Sequence, residues 1–172
     1  MDNRRVAALC TRGNGFPTRQ AARRPPGLWP NDIAKQFVGM WRLVSWPQRL
    51  ADGSTRQSPL TVGYVMYSDN NYMCYVNMDP NRPKWKSGTP TESEALSGVT
   101  GFGAYCARVE LHAKEGFFLQ HVEISISPNA LGRVRKRWFT FEGQNRVRLR
   151  IDATELSPPV VDSTLIWERV TK

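Results

Sequence analysis

Residues 134–152 read VRKRWFTFEGQNRVRLRID. Two alternating runs flank Gly143-Gln144-Asn145, a composition that turns a chain back on itself. In the second run Val147, Leu149 and Ile151 interleave with Arg146, Arg148 and Arg150, the period of two that a strand with one buried face requires. In the first, Arg135 and Arg137 share a row with Arg133, Phe139 and Phe141. This stretch predicts an antiparallel hairpin whose apolar side faces a core and whose arginines turn outward. If the arginine rows are in register, like charges face each other, which costs stability unless anions lie nearby.

Working outward, the same short β-type runs recur at 39–46, 61–67, 71–78, 103–112, 117–126 and 163–170, punctuated by Asp52-Gly53, Asp69-Asn70-Asn71, Lys114-Glu115-Gly116 and Pro128-Asn129. Their hairpin-length spacing points to an all-β antiparallel sandwich or barrel of about eight or more strands. Tyr105, Ala107, Val109 and Leu111 alternate with Cys106, Arg108, Glu110 and His112, and Val122, Ile124 and Ile126 alternate with His121, Glu123 and Ser125. One apolar face and one charged face are most simply reconciled by a closed barrel, which also removes exposed strand edges. A short helix capped by Asn31 and running to Phe37 precedes the first strand. Residues 79–102 break the pattern: Thr91 with Glu94 is a capping-box pair and predicts one helix. That segment is expected to act as a lid, with a plain crossover as the alternative.

The chain has 172 residues and a formal charge of +9, from 24 Lys and Arg against 15 Asp and Glu. That is one domain with room for a single core. Residues 1–35 carry seven basic and two acidic side chains, a net of +5; residues 133–150 carry seven and one, a net of +6, leaving −2 elsewhere. The first thirty residues are rich in Arg, Gly and Pro without apolar period. They are expected to form a disordered basic tail ahead of a domain over 31–172, with a transit sequence or a tether as the alternatives. No apolar run is long enough for a membrane helix. Cys10, Cys74 and Cys106 lack metal-ligand spacing, so free thiols, no metal, no cofactor and a cytoplasmic protein are expected.

Three segments carry a resemblance. Phe37-Val38-Gly39-Met40-Trp41-Arg42-Leu43-Val44-Ser45 is a Gly-x-Trp first strand behind a short helix. His121-Val122-Glu123-Ile124-Ser125-Ile126-Ser127-Pro128-Asn129, with Gly132 and Arg135 to Arg137 behind it, is a strand-turn-strand signature. The last strand, Leu165-Ile166-Trp167-Glu168-Arg169-Val170, ends in Trp-x-Arg. With Gly63 to Tyr67 and Tyr72-Met73, these resemble the lipocalin-like domain family of small β-barrels. The resemblance implies that Trp41 and Arg169 are structural, a guanidinium over an indole at the barrel floor. It also implies a pocket for a hydrophobic or aromatic small molecule. Gln120 stands where the family pattern has a histidine.

Candidate ligand-binding residues are Met66, Met73, Tyr75, Val122, Trp138 and Leu149, since Met and aromatic walls with few polar groups suit such a guest. Tyr64, Tyr105 and Gln120 are the candidate catalytic groups for a cofactor-independent isomerase or cyclase acting on an intermediate of secondary metabolism. A rival of another class is a basic barrel that binds nucleic acid or an acidic partner through the 133–150 hairpin. A homodimer that supplies the missing carboxylates is a third possibility.

Overall fold

The computed structural model describes residues 32–171. Asn31 and the tail over 1–30 lie outside these residues. Helix α1 (Asp32–Phe37) leads into ten strands: β1 (Gly39–Ser45), β2 (Pro47–Leu50), β3 (Thr55–Gln57), β4 (Val62–Tyr67), β5 (Tyr72–Met78), β6 (Phe102–His112), β7 (Phe117–Ser125), β8 (Val134–Phe141), β9 (Arg146–Ile151) and β10 (Val160–Arg169). Helix α2 (Glu92–Thr100) joins β5 to β6. Neighbours run β1-β4-β5-β6-β7-β8-β9-β10, and β10 pairs back with β1, closing an antiparallel barrel of eight strands. Strands β2 and β3 form an extra ribbon on the first half of β10. Among the described residues, no helix is long and apolar enough to cross a membrane.

One end of the barrel is plugged. Phe37 at the end of α1 is fully buried, with ring centroids 4.8 to 5.4 Å from Phe141, Tyr67, Phe139 and Phe118. Beside it the Trp41 Nε1–H donates to the Phe37 carbonyl at 2.8 Å. The Arg169 guanidinium lies 4.2 Å above the Trp41 ring and donates to the carbonyls of Val38 and Gln36. Gly39 makes room for it: its φ is +123°, and a Cβ there would stand 3.1 Å from Arg169 Nη1. That is the physical content of the Gly-x-Trp strand, a backbone that only glycine tolerates next to an indole that an arginine covers.

Alternation holds along most strands, and the break that moves an expected residue lies between β6 and β7. Val122 is buried on the inner face, but a β-bulge between β6 and β7 sets Cys106 opposite Ile124 and Ala107 opposite Val122. The extra residue reverses the faces beyond it. Ile124 is therefore 66% exposed, and the expected inner row of Val122, Ile124 and Ile126 ends at Val122.

The α2 segment also departs from expectation. Its capping box is formed as the sequence implies, with Thr91 accepting from the Glu94 backbone and Glu94 accepting in return. Yet α2 has no buried residue, and nothing in 79–102 lines the barrel interior or its mouth. It is a crossover on the outer wall, held by Arg82, which donates to Gly98 O and lies over Phe102.

The expectation of free thiols is corrected for two cysteines. Cys74 and Cys106 are direct partners across β5 and β6, with Cα atoms 4.1 Å apart, and form a disulfide. Strand register brings them together, and no sequence spacing encodes register. The bond closes a sequence separation of 32 residues, a restraint on the unfolded chain worth about 3–4 kcal/mol. Reduction with dithiothreitol is expected to lower the urea midpoint accordingly while leaving ligand binding intact, because the pair lies on the outer face. An unchanged midpoint would show that the bond does not restrain the chain.

Candidate functional site

The other end of the barrel is open. Inside it lies a cavity of about 80 Å³, walled by Tyr67 from β4, Met73 and Tyr75 from β5, Tyr105 from β6 and Gln120 from β7. Leu149 and Ile151 from β9, with Leu165 and Trp167 from β10, close the other side. Above it a cleft of about 670 Å³ forms the mouth, framed by β2, β3, the 3₁₀ turn Ala153–Glu155 and the chain through Val160. Cavity and mouth share Trp46, Arg135, Arg137 and Ile151, which form the neck between them. The cavity alone takes two or three water-sized groups, while the mouth falls within the range of small-molecule sites.

Two arginines in the neck overturn the outward orientation expected for the hairpin. On β8 the inner row reads Arg135, Arg137, Phe139, Phe141 from mouth to floor, and Lys136, Trp138 and Thr140 face out. Phenylalanine decides the parity. Phe139 and Phe141 join the plug around Phe37, and the period of two then carries the two arginines to the open end of the same row. The feared row of like charges does not form either, since Arg137 pairs with Ile151 and Trp138 with Arg150.

Arg137 is 5% exposed, and its Nη1 donates to Glu155 Oε1 at 2.8 Å and to Lys136 O at 2.7 Å. Burial opposes the charge on Arg137. The Tyr105 phenol and the Glu155 carboxylate outweigh that, so the guanidinium holds its proton more tightly than a free one. The Arg135 guanidinium lies 4.8 Å over the Tyr105 ring. The Tyr105 hydroxyl in turn donates to Gln120 Oε1 at 2.9 Å, and the Gln120 amide points at Met73 Sδ, 3.9 Å away. Two polar atoms in the cavity wall have no partner: the Tyr67 hydroxyl and Trp167 Nε1, both on residues 1% exposed.

Of the expected site residues, Met73, Tyr75, Tyr105, Gln120 and Leu149 come together in the cavity. Val122 is buried in the core but does not line it. Tyr64 and Met66 are 42% and 50% exposed, on the outer wall, because Val65 and Tyr67 are the residues β4 turns inward. Trp138 is outside as well, its Nε1–H donating to Asp152 Oδ2 at 2.9 Å and Lys136 lying over its ring. Sequence reading missed Trp46, Tyr67, Leu165, Trp167 and the two neck arginines. The alternation Val65-Met66-Tyr67 already held the signal for Tyr67, since the Trp41 row that pairs with β4 fixes Val65 as inner.

Burial pushes the Tyr67 and Tyr75 phenols far above their usual range, with Tyr105 adding to the shift and Arg137 opposing it. Folding favours their protonated form, so stability is unaffected below the free value of about 10 and falls as pH rises above it. In an alkaline titration, the last rise in absorbance at 295 nm should coincide with loss of the β-sheet circular dichroism. Ionisation of all five tyrosines in an intact barrel would contradict the buried placement.

On the outer wall, Arg146 and Arg148 form ion pairs with Glu142 at 3.2 and 3.4 Å, and Glu168 lies 3.9 Å from both Arg146 and Arg42. His112 and His121 each lie 2.9 Å from a different oxygen of Glu110. The His121 contact is the main cause of a Glu110 carboxyl held below its usual range.

A family model described as "Lipocalin-like domain" matches residues 38–170. No curated protein matches. Among solved structures the chain is similar to a redesigned beta barrel, at 10% identity and a TM-score of 0.40, over 80% of this chain and 94% of that one.

Proposed function

The chain belongs to the lipocalin-like domain family, and from that premise we propose that its barrel binds a small hydrophobic, aromatic-compatible molecule, with one end in the cavity and the rest in the mouth. Eight-stranded barrels of this kind hold side chains or one small ligand. The observation that carries the proposal is the pair of unpartnered polar atoms, Tyr67 Oη and Trp167 Nε1, in an otherwise aromatic and aliphatic wall. Buried polar groups are nearly always satisfied, and a guest that accepts hydrogen bonds satisfies these. An intermediate of secondary metabolism, the guest expected from the resemblance, fits that description.

Binding is better supported than turnover. Tyr105 and Gln120 can orient a carbonyl, but an isomerase or cyclase step also needs a group that exchanges a proton near neutrality. In the cavity the ionisable groups are three tyrosines and two arginines, while both histidines stand on the outer wall. The nucleic-acid rival loses its continuous surface. Arg135 and Arg137 line the neck, Arg146 and Arg148 are ion-paired outside, and Phe139 and Phe141 turn into the core rather than out to stack on bases. The Cys74–Cys106 disulfide favours an oxidising compartment over the cytoplasm.

Filling the cavity tests the reading. Leu165→Trp places a large ring where the wall has an isobutyl group. It is expected to weaken binding of the neutral fluorescent probe N-phenyl-1-naphthylamine at least tenfold while the sheet circular dichroism persists. Undiminished binding to that variant would place the probe elsewhere and refute the cavity as the site.

A further inference from the structure

We propose that the guest is an organic anion, a small aromatic or hydrophobic molecule whose carboxylate is held at the neck by Arg135 and Arg137. This rests on the cavity being the binding site and adds the chemical class of its occupant.

The mouth carries an excess of positive charge. The mouth is lined by four arginines, Arg56, Arg133, Arg135 and Arg137, against one acid, Glu155, a net of +3. Glu155 is committed, accepting from both Arg137 and the Lys136 backbone N–H on the same oxygen. Among the described residues, no carboxylate lies within ion-pair distance of Arg56, Arg133 or Arg135. The excess is therefore not cancelled locally, in contrast to the outer arginines Arg146 and Arg148, which Glu142 and Glu168 neutralise.

Depth is the second step. The two rim arginines are exposed, Arg135 is half-buried and Arg137, paired with Glu155, is buried, so the deepest cation without a carboxylate is Arg135, at a depth where water is being lost. A charge taken out of water is costly unless paired, and a pair in such surroundings is less screened than one on the surface. Both hydrogen bonds of Arg137 leave from Nη1. The Arg135 guanidinium carbon lies 4.8 Å over the Tyr105 ring, a contact that holds the group at the neck. A planar fork of this kind matches a carboxylate with two parallel bonds.

The third step is the balance of donors and acceptors. Trp167 Nε1 and the two guanidinium groups can only donate, the Tyr67 hydroxyl can donate as well as accept, and the Tyr105 hydroxyl gives its proton to the Gln120 oxygen, while the Gln120 amide, directed at Met73 Sδ, keeps a second N–H. A cavity in which donors outnumber acceptors selects a guest that accepts, and the excess charge selects an ionised one. The walls, with Met73, Tyr75, Leu149 and Leu165, exclude a bare inorganic ion as the natural occupant, since most of the contact area is apolar.

The test compares two probes with the same ring systems, the sulfonate 1-anilinonaphthalene-8-sulfonate and the neutral N-phenyl-1-naphthylamine, by fluorescence titration of the full chain. The unmodified protein is expected to bind the sulfonate about tenfold or more tightly than the neutral probe. That preference should fall to near parity in Arg135→Gln with neutral binding unchanged, and should survive Arg146→Gln with Arg148→Gln on the outer wall. A double change, Arg137→Gln with Glu155→Gln, keeps the net charge of the mouth at +3 and removes only the Arg137 fork without leaving the acid alone, so it should weaken the sulfonate preference less than Arg135→Gln does. Competition adds a readout that needs no variant: 2-naphthoate should displace the probe and its isosteric amide should not. Equal affinity for the two probes, a preference untouched by the neck variants, or one lost with the outer pair overturns the anion assignment and leaves the cavity reading standing. If neither probe binds, or the binding seen ignores Leu165→Trp, the cavity reading fails and this inference fails with it.

Discussion

Replacing Trp41 with alanine is expected to cost the barrel about 4–6 kcal/mol, a large part of the stability of an ordinary domain. Three losses coincide at one position. The indole is fully buried, and emptying such a site costs about 3–5 kcal/mol before anything else is counted. The Phe37 carbonyl loses the Nε1–H that reaches it at 2.8 Å, detaching the end of α1 from the floor. The Arg169 guanidinium loses the ring 4.2 Å beneath it, a contact worth about 0.5–2 kcal/mol, and is left over a void. The three are not independent, so their sum is an upper bound. Trp41→Phe separates them: it keeps a ring for Arg169 and most of the volume, and should cost only about 1–3 kcal/mol. Urea unfolding followed by circular dichroism measures both. A loss below about 2 kcal/mol for the alanine variant would show that the plug does not need its indole.

The contact of Arg169 with Trp41 at the closed end was legible through the family resemblance, which the Gly-x-Trp and Trp-x-Arg signatures of the first and last strands carry. All eight barrel strands were also legible, within one or two residues at most ends, because a period of two bounded by turn residues is a local signal. The short β2 and β3 were not, since Pro47 to Leu50 and Thr55 to Gln57 are too brief to show a period. The open end was only half legible, for a different reason. Which of two alternating rows faces inward is a property of the whole barrel, and in β8 both rows contain cations and aromatics. Only contact with Phe37, a hundred residues away in the chain, decides between them. The bulge in β7 and the Cys74–Cys106 pair depend likewise on register between strands. What looked like a surface property of the chain, its arginine-rich hairpin, thus divides into an ion-paired outer row and an inner pair that shapes the pocket.

Arg137→Met should destabilise the protein by about 3–5 kcal/mol, and the reason bears on why an arginine is there at all. Removing one partner of a buried ion pair strands the other, and the cost is dominated by the stranded charge. Here that charge is Glu155, whose Oε1 would keep only the Lys136 N–H at 2.6 Å. Adding Glu155→Gln removes the stranded charge while keeping an oxygen for that N–H, so the double variant should recover more than half of the loss. Denaturant midpoints for the single and double variants give both numbers, and the coupling between the two sites follows from the cycle. Buried ion pairs seldom exceed a well-packed apolar substitute in stability. If the double variant approaches the parent in stability but loses the preference for an anionic probe, the guanidinium is retained for its hydrogen bonds to a guest and Glu155 for keeping it tolerable before a guest arrives. If the single variant loses less than about 1 kcal/mol, Glu155 is already solvated, and the neck is wetter and its arginines weaker anion binders than their burial implies.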